Sequence, residues 1–190
     1  MVIKITSHSI LGENIKIRKI AKVLFLGDGA VGKTSLITLI SVARFGKEMT
    51  SPQKPKVTVG FDVQIRYFIA NGQKYEIAIW DFAGQPQFRF YQKDFMKYGI
   101  IGVLVFDVTR MSTLKQLYEW KKIAEENSSV VKFIVIGNKI DSEKRSISRE
   151  TGEQIAASFD AEYIETSAKS IEGINELIDE LQKSIIYIDS

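Results

Sequence analysis

Apolar and polar positions fall in blocks along this chain. "AKVLFLG" (21–27) is a continuous apolar run of strand length, the pattern of a strand buried on both faces. "GKTSLITLISVARF" (32–45) brings Leu36, Leu39, Ile40 and Ala43 onto one helical face. "VTVGFDVQIRYFI" and "KYEIAIWDF" read as two strands joined at Asn71-Gly72, a strong hairpin signal. "IIGVLVFDV" and "VVKFIVIGN" are two more strands, separated by the helical "STLKQLYEWKKIAEEN". "SRETGEQIAASF" predicts a helix with Ser148 as its cap, followed by a short strand at "EYIET". The last helix, "EGINELIDELQKSII", carries Ile174, Leu177, Ile178, Leu181 and Ile185 on one stripe.

Strands alternating with helices, and apolar throughout, predict an α/β sheet covered on both faces. The one hairpin predicts a single antiparallel edge strand. There is no internal repeat and no low-complexity linker. In such sheets ligands bind beyond the carboxyl ends of the strands, so the loops there are where chemistry is expected.

Composition narrows the class. A chain of 190 residues suits one domain with a substantial core, and 45% hydrophobic with 26% charged residues is typical of a soluble protein. A net charge of +3 is too small to argue for nucleic acid. The absence of cysteine excludes disulfides, thiolate metal sites and cysteine nucleophiles, and fits a reducing compartment. No apolar run is long enough to cross a membrane, Val2 excludes N-myristoylation, and "SIIYIDS" has no cysteine to prenylate. The expectation is a cytoplasmic monomer without a transmembrane segment or lipid anchor, with peripheral membrane contact at most.

The first chemical loop is "GDGAVGKT" (27–34), between a strand and a helix. Gly27, Asp28, Gly29, Ala30, Val31 and Gly32 form a turn whose backbone N–H groups can face phosphate oxygens, and the helix adds its positive end. Lys33 supplies a charge for the terminal phosphates, Thr34 offers a hydroxyl to Mg²⁺, and Ser35 extends the loop into the helix. "GNKID" (137–141) ends another strand. Asp141 there can accept two hydrogen bonds from the N1 and N2 donors of guanine, which adenine cannot offer. "ETSAK" (165–169) follows the last strand, where the backbone N–H of Ala168 can approach a purine carbonyl.

Together these loops resemble the Ras-like small GTPases, and "WDFAGQ", "FDVT", "GNKID" and "ETSAK" look most like the Rab branch. The likeness covers roughly residues 21–187 in four separate loops in the right order. It implies a P-loop NTPase fold with a Ras-like, six-stranded, mostly parallel sheet and helices on both faces. Its ligands would be GTP or GDP and Mg²⁺. By position it implies that Asn138 and Asp141 hold guanine, that Lys139 lies along the base, and that Ser167, Ala168 and Lys169 form the third base loop. Phe45 would stand against the base edge, with core packing the competing reading. Thr58 would join Mg²⁺ and the γ-phosphate, the competing reading being an ordinary strand threonine. Asp81 would reach the metal through water, Gly84 would donate its N–H to the γ-phosphate, and Gln85 and Lys33 would serve catalysis, Gln85 by orienting the attacking water and Lys33 by its charge on the terminal phosphates.

The sequence also departs from the family. "GKEMTSPQKPKV" before Thr58 is longer than the usual first switch, lacks the family tyrosine, and is basic through Lys47, Lys54 and Lys56. All three prolines lie in the two switches: Pro52 and Pro55 in the first, Pro86 in the second. Phe82 replaces a common threonine, and Pro86 biases Gln85 toward extended torsions. No built-in catalytic arginine is evident. Residues 1–20 read as an N-terminal extension, an added strand or arm, on a G domain spanning 21–190; a basic arm touching anionic membrane is the sharper alternative. His8 reads as a surface residue. Leu117, Trp120 and Ile123 read as helix packing, and Glu125/Glu126 and Asp179/Glu180 as solvated helix faces.

The function expected is therefore a Mg²⁺-dependent, slow GTPase acting as a switch for effector proteins, with exchange and activating proteins as further partners. Its moving parts would be residues 46–62 and 82–95. A nucleotide-locked interaction module is the alternative, and an ATP-using P-loop enzyme the third reading. The missing lipid anchor suggests a prokaryotic relative, possibly archaeal.

Overall fold

The computed structural model describes residues 17–43, 58 and 60–189. The strands β1 (Ile17–Leu26), β2 (Phe61–Ala70), β3 (Gln73–Phe82), β4 (Ile101–Asp107), β5 (Lys132–Asn138) and β6 (Glu162–Thr166) form one sheet. Their order is β2-β3-β1-β4-β5-β6. Only β2 and β3 run antiparallel; the other pairings are parallel. Asn71 and Gly72 join them with positive φ angles of 51° and 70°, as a tight hairpin with the sheet's right-handed twist requires. The hairpin therefore supplies the antiparallel edge strand that the sequence pattern predicts.

The helices are α1 (Lys33–Ala43), α2 (Arg89–Met96), α3 (Met111–Lys115), α4 (Leu117–Asn127), α5 (Arg149–Ser158) and α6 (Ile174–Asp189). Successive side chains of a strand point to opposite faces, so the apolar runs feed two cores. Val23, Phe25, Val103 and Ile136 pack with Leu36, Leu39, Leu177 and Leu181 of α1 and α6. Leu24, Leu26, Leu104 and Phe106 pack with Met96, Trp120 and Ala156 of α2, α4 and α5. Ser148 caps α5 as expected, its hydroxyl accepting the N–H of Thr151 at 3.3 Å.

Three local readings change, and one segment left unassigned takes form. β1 begins at Ile17, because the backbone before the apolar run pairs Ile17 with Lys74 and Ile20 with Glu76. The predicted helix over 112–127 is two pieces, α3 and α4, which meet at Gln116. The segment after Gln85 forms a 3₁₀ turn, Pro86–Phe88, leading into α2. A proline at the first position of a helical turn fits, since its missing N–H would have had no partner there. Glu180 is not solvated: it is 9% exposed and pairs with Lys132 at 2.9 Å. Burial opposes its ionisation, but Lys132 and Ser184 hold its pKa below the usual carboxylate value.

His8, Phe45, Pro52, Pro55, Lys47, Lys54 and Lys56 lie outside the described residues. Among the described residues no helix is long and apolar enough to cross a membrane.

Candidate functional site

The loop Gly27–Gly32 leaves β1 at its carboxyl end and delivers Lys33 to the start of α1. A cavity of about 410 Å³ opens above it, lined by Gly29, Ala30, Gly32, Lys33, Ser35, Thr58, Phe82, Gly84, Gln85 and Lys139. The loop lies against two neighbours that leave no room for side chains. A Cβ on Gly32, whose φ is +105°, would stand 2.2 Å from Asn138 Nδ2. One on Gly84 would stand 2.1 Å from the carbonyl carbon of Asp28. Gly84 thus brings its backbone directly onto the loop, and Gln85 follows it into the cavity.

Lys33 is buried, and its ammonium donates to the carbonyls of Gly27 at 2.7 Å and Asp28 at 2.9 Å. Burial pushes its pKa down to about 8, against the attraction of Asp81 and Asp28. An anion in the cavity would reverse that penalty, because an opposite charge nearby favours the protonated form.

Three oxygen-bearing side chains from distant parts of the chain meet beside it. The Thr34 hydroxyl donates to Asp81 Oδ2, the Thr58 hydroxyl reaches the same oxygen at 3.2 Å, and the two hydroxyls are 2.9 Å apart. Asp81 Oδ1 is buried with no hydrogen-bond partner among the described residues. Burial raises the Asp81 pKa, although Thr34, Lys33 and Thr58 oppose it. A buried carboxylate with an unmatched oxygen, flanked by two hydroxyls, is an all-oxygen donor set that suits a hard divalent cation such as Mg²⁺.

The loops after β5 and β6 are tied to the phosphate loop from the other side. Asn138 donates through Nδ2 to the carbonyl of Val31 at 2.7 Å and accepts the Thr166 hydroxyl at 3.1 Å. Lys139, with φ of 71°, donates to Asp107 at 2.7 Å. Asp141 accepts the Ser167 hydroxyl at 2.6 Å and has the Lys169 ammonium 3.8 Å away. Ser167 Oγ also accepts the N–H groups of Lys169 and Ser170, which fixes the turn that carries Ala168.

The structure therefore gathers the predicted Lys33, Thr34, Thr58, Asp81, Gly84 and Gln85 at one end. Asn138, Lys139, Asp141 and Ser167 to Lys169 are gathered at the other. Two predicted loop residues turn their side chains away from the cavity, which leaves the backbone N–H role assigned to them untouched: Val31 is core, and the Asp28 carboxylate accepts the Trp120 indole N–H at 3.2 Å. Three contributors went unread in the sequence. Gln92 of α2 donates to the carbonyls of Gly60 and Ala83, joining the segment after Thr58 to the one before Gly84. Asp107 and Arg110 form a charged link beside Lys139. "FDVT" was the available signal for Asp107, but only as a motif without a role.

The sequence profile of the Ras family matches residues 22–187. The chain is 35% identical over 168 residues to "Ras-related protein Rab-8B" of Homo sapiens, covering 87% of this chain and 78% of that protein. It is 37% identical over 152 residues to "Ras-related protein Rab-8A" of Gallus gallus, covering 78% and 70%. It is 32% identical over 167 residues to "Ras-related protein Rab-13" of Rattus norvegicus, covering 87% and 79%.

Proposed function

This chain belongs to the Ras family, and on that premise we propose that it is a guanine-nucleotide switch that hydrolyses GTP slowly. The observation that carries the proposal is the convergence of Thr34 and Thr58 on Asp81 beside the buried Lys33. Thr34 belongs to the phosphate loop, Thr58 to the segment before β2, and Asp81 to the end of β3. Nothing in the packing of a sheet demands that these three meet, whereas a metal–phosphate site does.

In this reading Thr34, Thr58 and Asp81 would hold Mg²⁺. When bound, the ion offsets the charge that develops on the phosphate oxygens. Lys33 turns from the loop carbonyls toward the terminal phosphates. The backbone N–H groups of Gly29, Ala30, Val31 and Gly32 face the phosphate chain, helped by the start of α1. Gly84 offers its N–H to the γ-phosphate. Gln85 would orient the attacking water; its Oε1 already accepts Gln87 Nε2 at 3.0 Å and keeps a second lone pair for that water.

Asp141 would accept the guanine donors, the Ala168 N–H would meet the purine carbonyl, and Lys139 would lie along the base. Asn138 braces these loops against Val31, and one of its amide hydrogens remains for the base. Loss of the γ-phosphate would release Thr58 and Gly84 together, because Gln92 links Gly60 to Ala83. Effector proteins would read that change.

The test is phosphate release from purified protein loaded with GTP. A slow, Mg²⁺-dependent release that Gln85→Leu suppresses is expected. Failure to bind GTP or GDP would sink the proposal. Nucleotide that binds but neither exchanges nor turns over would favour a locked interaction module. Effective competition by ATP, or an Asp141→Asn variant without a shift toward xanthine nucleotides, would sink the guanine assignment.

A further inference from the structure

Asp107 is the last residue of β4, opposite Asn138 of β5, and it is 1% exposed. Its Oδ1 accepts the N–H and the hydroxyl of Thr109 at 3.0 and 2.7 Å. Its Oδ2 accepts Lys139 Nζ at 2.7 Å and Arg110 Nε at 3.0 Å. Arg110 continues the chain of contacts, donating through Nη2 to the carbonyl of Gly29 at 3.0 Å. A single buried carboxylate thus joins the lysine of the base loop to the backbone of the phosphate loop. Burial opposes its ionisation, but Lys139 and Thr109 hold its pKa below the usual range.

Two members, Lys139 and Arg110, are constrained in a way that packing alone does not explain. Lys139 adopts a left-handed backbone that residues with side chains keep only where the surroundings enforce it. Gly29, whose carbonyl Arg110 holds, lies beside Gln85 at an ordinary contact distance, with Gln85 Cγ 3.8 Å from where a Cβ of Gly29 would stand. Arg110 uses two nitrogens at fixed spacing, one for Asp107 and one for Gly29, which suits the planar guanidinium and not a lysine.

We propose that Asp107 and Arg110 are positioning residues. They form a clasp that keeps the base loop and the phosphate loop in register and so sets how long a guanine nucleotide stays bound. The proposal rests on the guanine-nucleotide reading above. A direct role for Arg110 on the phosphates is the competing idea. It is disfavoured because the guanidinium is already paired with a carboxylate and aimed at a backbone carbonyl.

The experiment is the release of a fluorescent GDP analogue from full-length protein, chased with excess GDP in Mg²⁺. Single-turnover hydrolysis and thermal unfolding of the nucleotide-free protein are measured alongside. Arg110→Ala and Asp107→Asn are each expected to speed release about ten-fold, the equivalent of one lost hydrogen bond to a charged group. The double variant is expected to release no faster than the faster single one, since both act on one chain of contacts. Arg110→Lys should rescue only in part, and hydrolysis should change less than release. Release that merely tracks the unfolding midpoint across the variants overturns the clasp. So does additive behaviour, or unaltered release with hydrolysis reduced about 10³-fold, which is the signature of an arginine acting on the phosphates. Unaltered release in variants of a nucleotide-binding wild type defeats the clasp alone. A wild-type chain that binds no guanine nucleotide removes the underlying reading and the clasp with it.

Discussion

The side-chain amide of Asn138 donates to the carbonyl of Val31 at 2.7 Å, joining the end of β5 to the phosphate loop across 107 positions of sequence. The same amide accepts the buried hydroxyl of Thr166. Asn138→Ala would leave both partners buried and unsatisfied, a loss of about 2–4 kcal/mol. Urea unfolding of the nucleotide-free protein measures it. A loss well under 1 kcal/mol would mean that water or a local shift replaces both bonds.

Gly84 presses its backbone on Asp28 and Gly29, so a methyl group there would meet main-chain atoms at 2.1–2.4 Å. Main chain cannot swing aside as a side chain can. Gly84→Ala is expected to displace the segment before Gln85 from the phosphate loop, at a cost of about 1–3 kcal/mol. Under the proposed function, GTP affinity should fall at least about ten-fold while GDP affinity falls less. Isothermal titration with GDP and a non-hydrolysable GTP analogue distinguishes the two. Equal losses for both nucleotides would contradict a γ-phosphate contact.

Legibility in the sequence followed the range of the interactions. β1, β4 and β5 were readable because both of their faces are buried, so a run such as "KVLFL" has no solvent face to interrupt it. The turn between β1 and α1 was readable because Gly27, Gly29 and Gly32 interrupt an apolar run just before a helical period begins. α2 was not, because its residues must satisfy the site and the neighbouring sheet as well as a helix. Gln92 looks like a surface polar residue until Gly60 and Ala83 are seen to meet at its amide. Arg110 likewise looks like a loop cation, since nothing local reveals that the Gly29 carbonyl lies within reach.

Glu180 illustrates the same limit on a helix. It sits beside Asp179 in sequence, yet Glu180 is buried against Lys132 of β5, while the Ser184 hydroxyl, one turn further along α6, donates to the same carboxylate. Its native pKa lies below the unfolded value near 4.5. The stabilisation is therefore complete above that pH and is lost as the pH falls through the native value. Glu180→Gln is expected to cost on the order of 1 kcal/mol at pH 7 and progressively less as the pH is taken below the native value. Denaturant titrations at pH 7 and over a descending acid series test it; a difference that does not narrow in acid would remove the ion pair as the cause.

Trp120 offers a direct view of the phosphate loop. It is fully buried in α4, and its indole N–H donates to Asp28 at 3.2 Å. The only other tryptophan in the chain is Trp80, which is stacked on Phe61 with Lys22 3.8 Å above its ring. In a Trp80→Phe variant all tryptophan emission comes from Trp120, and nucleotide binding should change its intensity by altering the loop around Asp28. Trp120→Phe keeps most of the ring packing but removes the donor. It should therefore cost about 1 kcal/mol, weakening nucleotide binding about five-fold with little change in the sheet. Emission in the Trp80→Phe variant that stays constant through a GDP titration, while binding is seen by calorimetry, would show that the phosphate loop does not transmit binding to α4.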